Sequence, residues 1–216
     1  MTKLNGPLLP PRSGRPATQA VILLHGYGAD GSDLISLGQH WSELLPDATF
    51  IAPNAPNPCA GSPFGFEWFP LNVDRIAGRI DGAKQAAPVI REFLDDLWEQ
   101  TGIAPDRTVL AGFSQGAMMA LHVGTSLDRE LAGLIAFSGA FVPADGFAAG
   151  GLARPPVTLV HGELDQVVDP DLSRQAATEL RDAGFEVTLH ISPNTAHGIA
   201  PDGLEVATSF LAARLG

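Results

Sequence analysis

The stretch LAGFSQGAMMAL, from Leu110 to Leu121, places Ser114 between two glycines. An apolar run typical of a strand comes before the serine, and a run typical of a helix follows it. Glycine is needed where a strand turns sharply into a helix, because side chains there would collide with the turn. The pattern therefore predicts a strand–turn–helix unit. Ser114 is either a nucleophile held on a strained bend or only a small residue in a tight turn.

The remainder of the chain alternates strands with helices. Strands are predicted for residues 19–26, 48–53, 107–112, 131–139, 155–162 and 185–191, most of them continuous apolar runs. Helices are predicted for residues 30–45, with Ser32 or Asp33 near the cap, and for 81–100, 114–126, 169–184 and 202–215. Apolar strands alternating with helices are typical of an α/β fold with a mostly parallel sheet covered on both faces.

The length and composition predict one domain over residues 1–216, with an irregular N-terminal segment over 1–18. The 216 residues are 45% hydrophobic, which suffices for a large core, and no linker or repeat interrupts the pattern. Residues 139–155, rich in Gly, Ala and Pro, are too short for an inserted cap domain. In such folds, sites form beyond the carboxyl ends of the strands.

The charge and cysteine content exclude several classes of protein. A net charge of -11 repels phosphate backbones, so nucleic-acid binding is not expected. No apolar run reaches the length of a bilayer span, and the N-terminus lacks the apolar core of a signal peptide. The single cysteine, Cys59, cannot form an internal disulfide. These features predict a cytoplasmic protein with no stable membrane insertion.

A serine nucleophile needs a base and an acid that orients the base, and in this fold the acid precedes the histidine in the chain. Among six histidines, His197 alone combines that order with a loop after the last strand. Glu163 and Asp165 both lie in the turn after residues 155–162. Asp165 is favoured as the acid, and Glu163 remains its rival.

The oxyanion of an acyl-transfer reaction needs two backbone donors. In this fold one comes from the residue after the nucleophile and one from an early strand-to-helix loop. The first is the amide of Gln115, and the glycine-rich LHGYGADG at residues 24–31 offers the amide of Tyr27 as the second.

Four motifs in order, LHGYGADGSDL, GFSQGAMMAL, HGELDQVV and AHGI, resemble the phospholipase/carboxylesterase family of α/β-hydrolases, to which acyl-protein thioesterases belong. The resemblance implies the α/β-hydrolase fold, Ser114 as nucleophile, His197 as base and Asp165 ahead of Glu163 as acid. It also implies the Tyr27 and Gln115 amides as the oxyanion hole. The family often carries an aspartate after its aromatic pair, where this chain has Pro70.

These observations predict a serine carboxylesterase that hydrolyses carboxylic esters, thioesters or lysophospholipids through an acyl-enzyme, without cofactor or metal. An acyl-protein thioesterase is the alternative; an amidase, or a ligand-binding homologue without turnover, is also left open. The expected partner is a small-molecule ester or an acylated protein, and a homodimer is left open. Phe66, Trp68 and Phe69 either contact the substrate or simply cover the core.

Overall fold

A computed structural model describes residues 4–71, 77–147 and 153–216. The strands are β1 (Leu8–Leu9), β2 (Gln19–Leu24), β3 (Ala48–Ile51), β4 (Asn57–Pro58), β5 (Phe66–Glu67), β6 (Thr108–Phe113), β7 (Gly133–Phe137), β8 (Val157–Gly162) and β9 (Val187–Ser192). The helices are α1 (Gly31–Trp41), α2 (Ala77–Thr101), α3 (Gln115–Gly124), α4 (Asp171–Asp182) and α5 (Pro201–Leu215).

Seven strands form one sheet in the order β1-β3-β2-β6-β7-β8-β9. Only β1 runs antiparallel to its neighbour, while the other six strands are parallel. The predicted mostly parallel sheet is therefore confirmed. The strand order reverses between β2 and β6, and the carboxyl ends of the strands beside such a reversal are where sites form in this class of sheet.

Alternate residues of the central strands face two separate cores. Ile22 and Leu24 of β2 pack with α2, α3 and α4 on one face. Val21 and Leu23 pack with α1 and α5 on the other. Burial on both faces explains why these strands read as continuous apolar runs. No described helix combines the length and apolar character needed to cross a bilayer.

The structure corrects several predicted boundaries. The cap of α1 is Asp30, whose Oδ1 accepts the Ser32 N–H at 2.7 Å, rather than Ser32 or Asp33. Helix α2 begins at Ala77 and runs through Pro88. The segment 1–18, predicted to be irregular, contributes strand β1, and the loop 54–72 contains the hairpin of β4 and β5. Residues 72–76 lie outside the described part of the chain.

The loops at the carboxyl ends of β2, β6, β8 and β9 carry the predicted catalytic and oxyanion-hole residues. Since these ends lie along one edge of the sheet, residues distant in sequence meet there. Between β7 and β8, the described residues form neither an α-helix nor a strand. Residues 148–152 of that connection lie outside the described part of the chain.

Candidate active site

Ser114 occupies a strained bend between β6 and α3. Its backbone has φ 52° and ψ −113°, in the positive-φ region that non-glycine residues rarely adopt. The Ser114 N–H donates to Phe137 O at 2.9 Å, and its carbonyl accepts the Met118 N–H at 3.1 Å. Strain of this kind costs of order 1–3 kcal/mol and is characteristic of functional sites.

The two glycines around Ser114 have no room for a side chain. A Cβ on Gly112 would lie 2.3 Å from the carbonyl carbon of Gly116, and a Cβ on Gly116 would lie 1.9 Å from Leu24 O. Real Cβ atoms do not approach backbone this closely, so only glycine lets α3 pack against the ends of β2 and β6. This geometry agrees with the prediction from the sequence that both positions must be glycine for steric reasons.

The loop after β2 lies directly beside Ser114. A Cβ on Gly26 would be 3.4 Å from the Ser114 Cβ. In the described part of the chain, the N–H groups of Tyr27 and Gln115 have no hydrogen-bond acceptor. The Gly28 N–H, by contrast, donates to Phe66 O at 2.9 Å. Two unoccupied donors therefore flank the serine, as an oxyanion hole requires.

His25 holds this loop in place. Its Nδ1 donates to Gly26 O at 2.8 Å, its Nε2 accepts the Ala55 N–H at 2.9 Å, and its carbonyl accepts the Trp68 Nε1–H at 2.9 Å. Burial lowers the pKa of His25, although nearby groups oppose the shift, so the ring is neutral at pH 7. A hydrogen bond with Cys59, together with burial, raises the pKa of the adjacent Tyr27 to about 12.

The side chain of Gln115 connects the strained bend at Ser114 to the aromatic loop, residues 66–69. The sequence did not predict this contact. Gln115 Oε1 accepts the Trp68 N–H at 2.9 Å, and its Nε2 donates to Phe69 O at 2.7 Å. Trp68 and Phe69 are each 1% exposed and belong to the core, while Phe66 is half-buried against it. This placement favours the interpretation that Trp68 and Phe69 cover the core.

Asp165 and His197 meet across the edge of the sheet. His197 Nδ1 lies 2.6 Å from Asp165 Oδ2, whose side chain is fully buried. Asp165 Oδ1 accepts the N–H groups of Val167 at 2.8 Å and Val168 at 2.9 Å. Glu163, the rival acid, is exposed, and within the described part of the chain its carboxylate accepts the Asn194 N–H at 3.2 Å and no other hydrogen bond. The pairing favours Asp165 as the acid.

The hydrogen bonds to Asp165 determine its charge. Burial alone would raise the pKa of Asp165, but the bonds from His197, Val168 and Val167 outweigh burial and hold the pKa below its usual value of 3.8. The carboxylate is therefore ionised at neutral pH. An ionised acceptor keeps the proton of a neutral His197 on Nδ1 and leaves the Nε2 lone pair free.

The ring of His197 packs at a tilt against Phe113, the residue before Ser114, with centroids 4.9 Å apart. Among the described residues, no hydrogen bond joins His197 to Ser114. His197 therefore lies beside the strained bend, but its ring is not hydrogen-bonded to the serine. Of the other histidines, His122 is buried and its Nδ1 donates to Val142 O at 2.8 Å. His190 pairs with Asp202 at 2.8 Å.

A small apolar cavity lies at the loop after β7. Gly139 lies against α3, because a Cβ at this position would be 2.6 Å from the Ala117 Cβ and 3.3 Å from Ser114 O. The next residue, Ala140, lines a cavity of about 270 Å³. The cavity is enclosed mainly by apolar side chains of α2, α4 and the loop after β7: Ile80, Phe141, Val142, Leu172 and Ala176.

The residues described give no sign of a metal centre. Across 4–71, 77–147 and 153–216, no group of three or more His, Cys, Asp or Glu side chains is arranged to hold a metal ion. The predicted catalytic groups at this edge of the sheet are a hydroxyl, an imidazole, a carboxylate and two backbone amides.

A mostly parallel sheet with a strained serine between β6 and α3 defines an α/β-hydrolase. The model of the phospholipase/carboxylesterase family matches residues 11–215, and the chain belongs to this family. The chain is 52% identical to esterase PE8, whose crystal structure aligns with a TM-score of 0.94 over 99% of this chain and 100% of that one.

Two further relatives are similar over most of their length. Esterase YpfH of Escherichia coli is 29% identical over 91% of this chain and 83% of its own. Acyl-protein thioesterase 1 of Saccharomyces cerevisiae is 30% identical over 91% of this chain and 93% of its own. The predicted family, fold and class of enzyme, a carboxylic-ester hydrolase, are confirmed by these matches.

The packing at Gly116 leads to a stability prediction. Gly116→Ala should lower the free energy of unfolding by at least about 2 kcal/mol, because the new methyl group overlaps the Leu24 carbonyl. Urea denaturation followed by tryptophan fluorescence measures the change. Gly198→Ala is the control, since a Cβ there meets nothing within 4 Å, and its effect should stay within about 0.5 kcal/mol. Equal stability of the two variants would contradict this account of the bend.

The lowered pKa of Asp165 leads to a pH prediction. A carboxyl group whose pKa is lower in the folded state stabilises the fold above its unfolded pKa, and this contribution disappears as the pH falls through the folded value. The stability difference between wild type and Asp165→Asn should therefore be full well above pH 3.8 and shrink below it. Denaturant titrations at pH 7 and pH 3 measure it. Glu163→Gln, at an exposed position, is the control, and a difference for Asp165→Asn that does not change with pH would refute the assignment.

Proposed function

We propose that this chain hydrolyses carboxylic esters through an acyl-enzyme formed on Ser114, with His197 as the general base and Asp165 as the acid that orients it. The observation that carries the proposal is the contact of His197 with the buried Asp165, 2.6 Å apart, on the edge of the sheet where the strained Ser114 lies. Family membership supports the same chemistry.

The first step forms the acyl-enzyme. His197 Nε2 takes the proton of the Ser114 hydroxyl while Oγ attacks the ester carbonyl carbon, and the carbonyl oxygen becomes an oxyanion. Catalytic hydrogen bonds are often long without substrate and tighten in the complex, so a small movement of His197 toward Ser114 is expected on binding. The protonated His197 then donates its proton to the leaving alcohol as the C–O bond breaks.

The second step releases the acid. His197 deprotonates a water molecule, which attacks the acyl carbon, and the protonated ring returns a proton to Ser114 Oγ as that bond breaks. The amides of Tyr27 and Gln115 hold the oxyanion in both steps. In the described part of the chain neither N–H group has another acceptor, which leaves both free to bind the oxyanion. Loss of one such donor typically lowers kcat about 10²- to 10³-fold.

The acyl group is proposed to occupy the cavity lined by Ala140. Its volume of about 270 Å³ lies just below the range of pockets that enclose a drug-sized ligand, about 300–1,000 Å³. A short or medium acyl chain fits such a space better than a long one. Substrate contact by Phe66, on the half-buried side of the aromatic loop, stays a prediction, and Trp68 and Phe69 are proposed to act by fixing that loop.

A small-molecule ester is the favoured substrate, and an acylated protein is the second candidate, supported by the similarity to acyl-protein thioesterase 1 of Saccharomyces cerevisiae. The single domain, the cytoplasmic location and the homodimer left open by the sequence remain predictions.

The nucleophile is tested by Ser114→Ala. This variant should lose p-nitrophenyl butyrate hydrolysis by several orders of magnitude, because removal of a triad member leaves only residual catalysis. A fluorophosphonate probe should label the wild type and not the variant. Ser209→Ala, at an exposed position on α5, is the control and should keep both activities. A variant at residue 114 with near-normal turnover would refute the mechanism, and a wild type that resists the probe would favour a binding protein.

The acyl site is tested by enlarging Ala140. The side chain of Ala140→Leu should fill the mouth of the cavity, so the ratio of kcat/KM for the hexanoate to that for the acetate p-nitrophenyl ester should fall about tenfold or more. Ala212→Leu, at a half-buried position on α5, which packs on the other face of the sheet, controls for a general effect of added volume. An unchanged ratio in Ala140→Leu would place the acyl group elsewhere.

A further inference from the structure

His161 lies at the end of β8, where the proposed mechanism gives it no role. Its side chain is fully buried, and its Nε2 lies 3.1 Å from Asp165 Oδ2, the same oxygen that contacts His197 Nδ1. The carboxylate is thus held between two imidazole rings, one fully buried and one 18% exposed.

The partners of His161 fix where its proton sits. Nε2 faces two groups that only accept, Asp165 Oδ2 and Val168 O at 2.9 Å, so Nε2 carries a proton and donates it. Burial lowers the pKa of His161, although the carbonyl and carboxylate oppose the shift, so the ring is neutral at pH 7. Its Nδ1 then accepts the hydroxyl proton of Ser173 at 2.7 Å.

Through Ser173, the chain of polar contacts reaches the other loops of the site. Ser173 lies in the first turn of α4, 3% exposed. Its Oγ also lies 3.3 Å from Gly139 O, a packing contact rather than a second hydrogen bond, because its single proton goes to His161. The same Gly139 packs against the start of α3 beside Ser114. Contacts from His161 therefore join the strand end of β8, the first turn of α4 and the loop after β7.

With His161 in place, Asp165 accepts four hydrogen bonds. Two backbone N–H groups hold Oδ1, while His161 and His197 hold Oδ2. A carboxylate with one donor fewer on Oδ2 is freer to rotate about its last bond. Rotation would carry Oδ2 away from His197. The His197 ring would then no longer be held with its Nε2 lone pair facing Ser114.

We propose that His161 is a positioning residue for the catalytic pair: its neutral ring donates from Nε2 to Asp165 Oδ2 and fixes the direction in which that oxygen meets His197. The proposal rests on the proposed function of Ser114, Asp165 and His197. His161 touches neither substrate nor the reacting atoms and acts through Asp165 alone.

Two amide variants separate this role from simple packing. In His161→Gln the side-chain amide reaches the position of Nε2 and retains a donor toward Asp165. In His161→Asn it reaches only the position of Nδ1, so a polar partner for Ser173 remains while the donor to Asp165 is lost. Both variants keep a polar group in the buried site, and thermal denaturation of each measures any loss of stability separately.

Loss of the donor should lower kcat for p-nitrophenyl butyrate about 10- to 100-fold in His161→Asn with little change in KM, since misorientation of a catalytic group by about 1 Å has this effect. The acid limb of the kcat/KM profile should move to lower pH, because rotation of Asp165 carries Oδ2 away from His197 and the protonated ring loses part of its stabilisation. His161→Gln should stay within about threefold of wild type, with the acid limb unmoved.

The outcomes are distinguishable from those of the proposed function. If Ser114→Ala is inactive while His161→Asn and His161→Gln show equal kcat and equal acid limbs, the positioning role is overturned and the catalytic triad stands. If activity in both variants falls only in step with their melting temperatures, His161 is a packing residue. An active Ser114→Ala would remove the basis of both proposals.

Discussion

The approach of α3 to the backbone at the end of β2 is the constraint on which the rest of the site depends. Because residue 116 has no side chain, the first turn of α3 can lie against Leu24 O, and the chain between β6 and α3 must make its turn in a single residue, Ser114. The positive φ of that residue follows from the lack of space. The same approach brings the Gln115 amide and the loop of Tyr27 to the two sides of one hydroxyl.

A second constraint is the cost of a buried carboxylate. An ionised group removed from water is tolerated only when its lone pairs are occupied by donors, and Asp165 obtains these from its own turn and from two histidines. The donors that offset its burial also determine its orientation. Electrostatic stability and catalytic geometry are therefore not separate properties here, and a change that weakens one affects the other.

The sequence predicted those features that depend on local pattern. Apolar runs on strands, helical periodicity and the glycine pair at 112 and 116 each leave a signature within a dozen residues, and the order of acid and histidine follows from topology. Two-residue strands such as β4, which contains Pro58, have no periodicity to detect. The contact of Gln115 with Trp68 and Phe69 joins residues 46 or 47 positions apart, and no pattern in either segment predicts it. His161 lies near the end of a predicted strand, but nothing in the sequence indicates that the following turn brings the Asp165 carboxylate within hydrogen-bonding distance of its ring.

The site consequently has parts of unequal rigidity. Ser114, Asp165 and the amides of Tyr27 and Gln115 lie close to strand ends or helix starts, where sheet pairing and backbone contacts fix them. The cavity walls come from the loop after β7 and from α2 and α4. Substitutions in those walls can alter the volume of the cavity without moving the serine, because no backbone hydrogen bond of the bend passes through them. Divergence of substrate preference around unchanged chemistry is what this division of the structure permits.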